Sequence, residues 1–212
     1  MRKTGARRAP PRKRERLVTA ERRAQLLELG LNAFGARPYD EISIDDLASA
    51  AGISKGLLYH YFPTKRAFYV AALRVAAERL LAETETPEDL PPIERARRGL
   101  DAYLSFAERH AKAYVTLLSG GIGADAEVTR VIDRTRRTFV ERMVAGTPHD
   151  DARSRLAVRG FVGFVEATCI EWLAHRSIAR DELLGLWARA ILAVGAQNPS
   201  LTDVLGAAVG RG

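Results

Sequence analysis

The sequence predicts an all-α protein, with a short three-helix unit at the N-terminus and a larger helical domain behind it. Three observations support this prediction. Apolar residues recur with the helical period along most of the 212 residues, and no run alternates apolar and polar residues as a half-buried strand does. Gly, Pro and capping residues separate the periodic segments from one another.

The first two helices are defined by their caps and breakers. Thr19 is a plausible N-cap for the first helix, and Gly35 and Pro38 end it. Its core-facing stripe consists of Ala24, Leu27, Leu31 and Phe34. A Ser-x-x-Asp capping signal at Ser43 then begins a second helix of about two turns, which ends at Gly52.

The next two helices complete the N-terminal unit. Ser54 is positioned to cap a third short helix, and Pro63 ends it and leads into a fourth helix over residues 65–82. Two short helices on either side of a tight glycine turn, after a longer helix, are the pattern of a helix-turn-helix unit.

The second half of the chain is also predicted to be helical. It follows a proline-rich acidic segment, "TETPEDLPP", at residues 84–92. The predicted helices occupy residues 93–110, 112–119, 126–145, 151–176 and 180–195. The predicted organisation is a flexible basic arm at 1–18, a helix-turn-helix domain at 19–66, a second helical domain at 67–205 and a tail at 206–212.

The net charge of +7 is concentrated at the N-terminus. Residues 1–23 hold ten Lys and Arg against two Glu, a net charge of +8, so the rest of the chain is nearly neutral. Basic arms of this kind bind polyanions, with nucleic acid favoured over an anionic membrane; a solvated tail that aids solubility is the alternative. The arm residues expected to contact DNA are Arg7, Arg8, Arg12, Lys13 and Arg14.

Composition argues against several other classes of protein. No stretch approaches the ~18 consecutive apolar residues of a membrane span, and no apolar segment follows the basic start as in a secretory signal. The single cysteine, Cys169, excludes an intrachain disulfide and fits a reducing cytoplasm. The four histidines lack metal-ligand spacing, and no nucleophile elbow, phosphate loop or carboxylate pair indicates an enzyme. We therefore expect no metal and no cofactor.

The third helix, "SKGLLYHYF" at 54–62, has two different faces. At 100° per residue, Leu58 and Phe62 lie together and face the neighbouring helices. Lys55, Gly56 and Tyr59 lie on the opposite side, which suits a DNA major groove. Gly56 costs roughly 1 kcal/mol of helix propensity, and a lysine near a helix N-terminus opposes the dipole. Both features point to an external anionic partner; packing of the aromatic residues on adjacent helices is the alternative.

The segment "ISIDDLASAAGISKGLLYHYFPTKRAFYVAAL" (42–73) resembles the DNA-binding domain of TetR-family transcriptional regulators. The match covers about residues 19–75 and includes "LA..AGIS.G.LY.YF" across the turn and a lysine two residues after Pro63. The resemblance implies contacts with double-stranded DNA by Ser43, Ser54, Lys55, Gly56, Leu57, Tyr59, His60, Tyr61 and Lys65. The positions of Ser43 and Lys65 are those of phosphate contacts. The long arm exceeds what the family needs, and we interpret it as an extension that follows the phosphates or the minor groove.

The resemblance also implies that the second domain dimerises and binds a small-molecule effector. The 151–176 segment is apolar on two faces and the final helix repeats this pattern, which suits a four-helix interface between two copies. A central core within a monomer is the alternative. The predicted interface residues are Gly160, Gly163, Ala167, Trp187, Ile191 and Val194.

The aromatic residues of the second domain could line an apolar effector cavity, although each could also be ordinary core. The predicted cavity residues are Tyr103, Phe106, Tyr114, Phe139, Phe161, Phe164 and Glu166. Glu166 interrupts an apolar helix, so it either meets a polar group of the effector or pairs with an arginine of a neighbouring helix. Cys169 lies among apolar residues, where a thiol is usually inert.

The function predicted from the sequence is a homodimeric, sequence-specific transcriptional regulator. We expect a repressor that leaves a palindromic operator when an effector binds. The alternative is an architectural or weakly specific DNA-binding protein that depends on the basic arm and has no effector.

Overall fold

The computed structural model describes residues 13–118, 125–145 and 150–196. These ranges contain helices and no strand, as the sequence predicts. The α-helices are α1 (Lys13–Ala36), α2 (Ile44–Ala50), α3 (Lys55–Tyr61), α4 (Lys65–Glu83), α5 (Pro92–Arg109), α6 (Ala111–Leu118), α7 (Ala126–Val144), α8 (Ala152–His175) and α9 (Arg180–Ala196).

Helix α1 begins earlier than predicted. Thr19 is an interior residue of this helix and not its N-cap, because the helix extends back to Lys13. Lys13 and Arg14 of the predicted arm therefore belong to the first turn of α1, although their side chains lie outside the described part of the chain. Arg7, Arg8 and Arg12 lie outside the described residues altogether, as does the predicted tail at 206–212.

The helix-turn-helix unit is defined by local hydrogen bonds. The hydroxyl of Ser43 accepts a hydrogen bond from the backbone N–H of Asp46 at 3.0 Å, and the Asp46 carboxylate accepts one from the N–H of Ser43, which completes a capping box. The hydroxyl of Ser54 caps α3 in the same way, through the N–H of Leu57. Between the two helices Gly52 has φ +62°, a left-handed conformation that glycine adopts without strain.

The N-terminal unit has its own core, which α4 extends toward the second domain. Leu47, Leu58 and Phe62 are fully buried against Phe68 of α4. Gly30 of α1 allows a close approach here, because a Cβ at this position would lie 2.9 Å from the Phe68 ring. The other end of α4 packs in the second domain, so this helix belongs to both cores.

The second domain is built around α8. Its inner face packs on α5, α6 and α9, with Cys169 and Trp187 fully buried at the centre, and on α7 through a smaller cluster of valines. Burial raises the pKa of the Cys169 thiol to about 12, which agrees with the inert role predicted for it.

Candidate nucleic-acid interface and interior cavities

Helix α3 exposes one face to solvent. Leu58 and Phe62 are buried, as predicted, and the exposed surface of the helix is formed by Lys55, Gly56, Leu57, Tyr59 and His60. Leu57 and Tyr59 are large apolar side chains that remain 40% and 41% exposed. This face has the width of a single helix and combines cationic, apolar and hydrogen-bonding groups, which matches what a major groove admits and presents.

Gly56 is not required by packing within the chain. A Cβ added at this position would meet nothing within 4 Å, and the φ angle is not one that only glycine can adopt. A glycine that lowers helix propensity without any internal reason is consistent with close approach of an external molecule.

Lys55 has a partner that the sequence did not reveal. Its ammonium donates a hydrogen bond to the carboxylate of Asp45 on α2 at 2.8 Å, and this hydrogen bond raises the pKa of Lys55. The anion expected from outside is thus supplied by the chain itself in the absence of DNA. A phosphate bound by Lys55 would compete with the Asp45 carboxylate for the ammonium, although two N–H donors of Lys55 are not used by Asp45.

Lys65 also differs from the prediction. Its ammonium donates hydrogen bonds to the backbone carbonyls of Tyr39 and Ile42, both at 2.8 Å, and lies 4.0 Å from the centre of the Tyr39 ring. The lysine therefore joins the start of α4 to the segment before α2. An ammonium has three N–H donors, so one remains available to a phosphate.

The other predicted contact residues occupy defined positions around α3. Ser43 and Ser54 use their hydroxyl oxygens as cap acceptors and keep their own O–H groups as donors. The Tyr61 ring is half-buried against the N-terminal core and lies 5.6 Å, centre to centre, from the exposed His60 ring. Packing thus accounts for part of Tyr61, the alternative raised for the aromatic residues.

A first cavity lies between α1, α4, α5, α6, α7 and α8 and has a volume of about 190 Å³. Five of the predicted effector residues line it: Tyr103, Phe106, Tyr114, Phe139 and Glu166. Helix α4 contributes an apolar wall that includes Leu73, Ala76 and Leu80. The hydroxyls of Tyr103 and Tyr114 form a buried hydrogen bond of 2.6 Å, which makes a polar spot in an otherwise mainly apolar wall.

Glu166 is paired within the chain. The guanidinium of Arg136 on α7 donates to both carboxylate oxygens, with distances of 3.0, 3.0 and 2.7 Å. Of the two roles predicted for Glu166, the structure contains the arginine pair. The local charge at this end of the cavity is therefore balanced.

The second cavity lies between α5, α7, α8, α9 and the segment at 84–88, and has a volume of about 340 Å³. Phe161, predicted as an effector residue, lines this cavity and not the first. Ile191 and Val194, predicted at the dimer interface, also line it, so these two side chains face the interior. Within the described part of the chain, Tyr103 and Phe139 are the two residues that line both cavities.

The outer face of α8 carries exposed apolar side chains. Two of the predicted site residues, Phe164 and Trp187, lie elsewhere than predicted. Phe164 was predicted in the cavity, but it lines neither one and is 36% exposed. Trp187 was predicted at the interface, but it is fully buried and its indole N–H donates to Thr168 at 2.8 Å. Leu156, at 74% exposure, lies on the same face as Phe164.

Small residues accompany these two side chains. Gly160 and Ala167 are exposed and Gly163 is half-buried; a Cβ at Gly160 would meet nothing within 4 Å. At helical spacing Leu156, Gly160 and Phe164 form one stripe, with Ala167 beside it. The stripe offers apolar surface and room for close approach of a second backbone.

One set of ion pairs joins the two domains close to α3. Arg66, in the first turn of α4, donates to both carboxylate oxygens of Asp125 and also contacts Glu127 at 3.3 Å. Asp125 is the N-cap of α7, and the Arg66 hydrogen bond is the main cause that lowers its pKa to about 2. The start of α4 and the start of α7 are thus held together.

Neither a metal-binding cluster nor a membrane-spanning helix is found in the described part of the chain. Residues 13–118, 125–145 and 150–196 contain no cluster of His, Cys, Asp and Glu that could hold a metal ion. None of their helices combines the length and the hydropathy that crossing a bilayer requires.

Comparison with known families covers both domains. The family described as "Bacterial regulatory proteins, tetR family" matches residues 26–72, and "Tetracyclin repressor-like, C-terminal domain" matches residues 92–194. The first match contains α2, α3 and the start of α4, and the second contains both predicted functional regions of the larger domain.

Individual relatives extend over most of the chain. The HTH-type transcriptional repressor KstR of Rhodococcus jostii is 27% identical over 84% of this chain and 86% of its own length. The HTH-type transcriptional activator FasR of Mycolicibacterium smegmatis is 25% identical over 80% and 81%. A crystal structure of a tetR-family transcriptional regulator from Streptomyces coelicolor superposes with a TM-score of 0.82, at 32% identity over 88% of this chain and 89% of that one. The chain therefore belongs to the TetR family, whose members are DNA-binding transcriptional regulators and not enzymes.

Proposed function

We propose that this protein is a homodimeric repressor that acts in the cytoplasm and leaves its operator when a small molecule binds in its interior. The observation that carries the proposal is the distribution of exposed apolar side chains. Five large ones are exposed in the described part of the chain, and four of them form two surfaces. Leu57 and Tyr59 lie on α3, whereas Leu156 and Phe164 lie on α8. Isolated exposed apolar residues are ordinary, but two or more of them on one helix mark a contact surface.

The surface on α3 supports specific DNA binding, and the surface on α8 supports dimerisation. In a twofold dimer each α3 would enter one major groove, so the operator would be a palindrome with half-site centres ~34–36 Å apart or a multiple of this distance. The two surfaces lie in different domains, so each can be tested without touching the other.

Helix α4 supports the coupling between effector and operator. It follows α3 after a three-residue connection and forms part of the first cavity through Leu73, Ala76 and Leu80. An effector that fits this cavity better when α4 is displaced would favour a spacing of the two α3 helices that no longer matches the operator. Repression is the direction favoured here, although the similar proteins include both a repressor and an activator.

A reciprocal pair of leucine substitutions tests both contact surfaces. Leu156→Asp places a charge in the proposed dimer interface, so we expect a monomer in analytical ultracentrifugation and weak operator binding. Leu57→Asp places the same charge on the other exposed surface, so we expect an intact dimer that has lost operator binding.

Each variant is the control for the other, because both replace an exposed leucine with aspartate. Circular dichroism establishes that both variants fold. A dimeric Leu156→Asp variant would move the interface away from α8, and unchanged operator affinity in Leu57→Asp would remove α3 from the DNA contact.

The basic arm distinguishes the proposal from an architectural DNA-binding protein. Removal of residues 1–18 should weaken binding but preserve the preference for the operator over unrelated DNA. Equal loss on all sequences, with no preference in the full-length chain, would favour the architectural alternative.

A further inference from the structure

Tyr103 and Phe139 separate the two interior cavities. Among the residues that the structure describes, they alone line both cavities, and their rings meet edge to face with centroids 5.8 Å apart. Ligand pockets in general have volumes of ~300–1,000 Å³. The first cavity, at about 190 Å³, is smaller than this, and the second, at about 340 Å³, is at the lower end of the range. Joined into one space, they would fall well within that range.

The two side chains of this partition differ in how firmly they are held. The Tyr103 hydroxyl is hydrogen-bonded to Tyr114, and its buried ring also packs edge to face on Trp187. Phe139 has no polar group to anchor it and is only half-buried. A rotation of Phe139 therefore breaks no hydrogen bond, whereas a rotation of Tyr103 breaks a buried one.

Charges at the first cavity indicate an uncharged ligand. Glu166 is fully engaged by Arg136, and Arg79 at the cavity wall is paired with Glu28, whereas the other carboxylate of the lining, Asp40, is exposed to solvent. A charged ligand group buried beside these closed pairs would have no counterion, and burial of an unpaired charge is strongly unfavourable. The Tyr103–Tyr114 pair instead offers neutral hydrogen-bonding capacity, since two phenols that share one hydrogen bond retain acceptor lone pairs and one O–H donor.

We propose that the two cavities are two compartments of one effector site, divided by the Phe139 side chain, and that the effector is an elongated, uncharged and mainly apolar molecule. Its single hydroxyl or carbonyl group binds the Tyr103–Tyr114 hydroxyl pair in the first cavity. Its apolar end displaces Phe139 and occupies the second cavity, among the side chains of α5, α8 and α9. The inference rests on the proposed effector-responsive function and specifies the chemical class of the effector.

The proposal is tested by direct binding of a series of straight-chain alcohols to the full-length protein without DNA. The probes are 1-hexanol, 1-octanol, 1-decanol and 1-dodecanol, with decanoate and decylamine as charged counterparts. Binding is measured by calorimetry and by the fluorescence of Trp187, which packs on Tyr103. We expect affinity to rise about fourfold per added methylene through the longest alcohol, and the charged counterparts to bind about tenfold or more weakly than 1-decanol. A plateau at short lengths, or decanoate equal to 1-decanol, would overturn the proposal.

Substitutions at Phe139 test the partition. Phe139→Trp thickens it, so 1-dodecanol should lose at least tenfold more affinity than 1-hexanol; Phe139→Leu should improve the binding of 1-dodecanol more than that of 1-hexanol. Equal effects on both alcohols in both variants would contradict a two-compartment site. If the tryptophan variant does not fold, the leucine variant answers the question by itself.

Substitutions of tyrosine test the hydrogen-bonding spot. Tyr114→Phe removes one hydroxyl of the pair and should weaken all the alcohols by about tenfold. Tyr61→Phe, at a half-buried tyrosine of the N-terminal unit that lines neither cavity, is the matched control and should change little, since the measurement is made without DNA. Equal losses in the two variants would remove the specific role of the pair.

Failure of this site can be distinguished from failure of the proposed function. Alcohols that bind as expected but leave operator affinity unchanged would refute effector release and leave the site intact. An effector of another class that releases the operator, with no binding of the alcohols, would refute the site and leave the function intact.

Discussion

At the scale of single residues, the Lys55–Asp45 pair controls the charge that α3 presents to DNA. In free protein the ammonium of Lys55 is bound to the Asp45 carboxylate, and the carboxylate itself would repel phosphates. Asp45→Asn removes both effects, so we expect operator affinity to rise roughly threefold to tenfold, measured by fluorescence anisotropy at fixed salt.

The control for this substitution is Asp89→Asn, which makes the same charge change at an exposed residue of the segment between α4 and α5. An equal rise in both variants would mean that net charge alone is responsible. A fall in Asp45→Asn would mean that the carboxylate positions Lys55 for DNA.

Gly56 permits a test in which fold stability and DNA binding change in opposite directions. A methyl group fits at this position without a clash and improves helix propensity, so Gly56→Ala should raise the free energy of unfolding by up to about 1 kcal/mol. If the DNA backbone or a base edge approaches Gly56, operator affinity should fall at least tenfold. Thermal unfolding and anisotropy measure the two quantities on one sample, and unchanged operator affinity would refute close approach at this residue.

The partners of the two lysines show what the sequence could not reveal at this scale. Lys55 and Lys65 were identified as cations near helix N-termini, and an anionic partner from outside the chain was expected for them, whereas the structure pairs both within the chain. Their partners lie 10 to 26 residues away along the chain and become adjacent only after folding. The local sequence therefore shows that each lysine requires a partner, but it does not identify that partner.

At the scale of helices, the boundaries of α2 and α3 could be predicted because Ser43, Gly52 and Ser54 act through local backbone geometry. The start of α1 could not. Thr19 is a good N-cap residue, but the preceding "KRERLV" consists mainly of residues that tolerate a helix, so the helix continues through it. A cap signal ends a helix only when the residues before it do not favour extending it.

Helix α8 shows a second limit of periodicity. Its two apolar faces were recognised, yet Phe164 was assigned inward and Trp187 of α9 outward, the reverse of the structure. Periodicity defines which residues share a face, whereas the neighbours of that face depend on the packing of several helices. The exposed stripe that includes Leu156 can be identified only when the residues that pack on the inner face of α8 are known.

At the scale of helices, the coupling between the two domains can be tested by substituting Arg66. Its ion pairs join α4 to α7 immediately beyond α3. We expect Arg66→Gln to bind the operator in the absence of effector but to show a smaller loss of affinity at saturating effector. Arg98→Gln, which breaks an ion pair within α5 alone, is the control and should respond as the wild type does.

The same contact should be insensitive to pH over the physiological range. The pKa of Asp125 is lowered from 3.8 to about 2, chiefly by the hydrogen bond from Arg66. A lowered carboxyl pKa contributes stability above the ordinary value that is lost as the pH falls through the lowered one. The effector response should therefore be constant between about pH 5 and pH 9, and a response that weakened within this range would point to other groups.

At the scale of the whole molecule, the all-α fold class, the family and the exposed residues of α3 were predictable, because they depend on helical periodicity, caps and a run of residues matching a known family. The two cavities and their shared partition were not. They arise where four to six helices leave space between them, and the aromatic residues that line them have the same spacing as core residues. A sequence can show that there are enough apolar residues to line a cavity. It does not show where in the fold that cavity lies.

The central claim, that a dimer reads specific DNA through α3, is tested most directly by hydroxyl-radical footprinting on DNA fragments selected by the protein from a random pool. We predict a selected palindrome with two protected half-sites whose centres are ~34–36 Å apart or a multiple of this distance, and no such protection with Tyr59→Ala. Selection of no common sequence, or the same footprint with wild type and Tyr59→Ala, would contradict the claim.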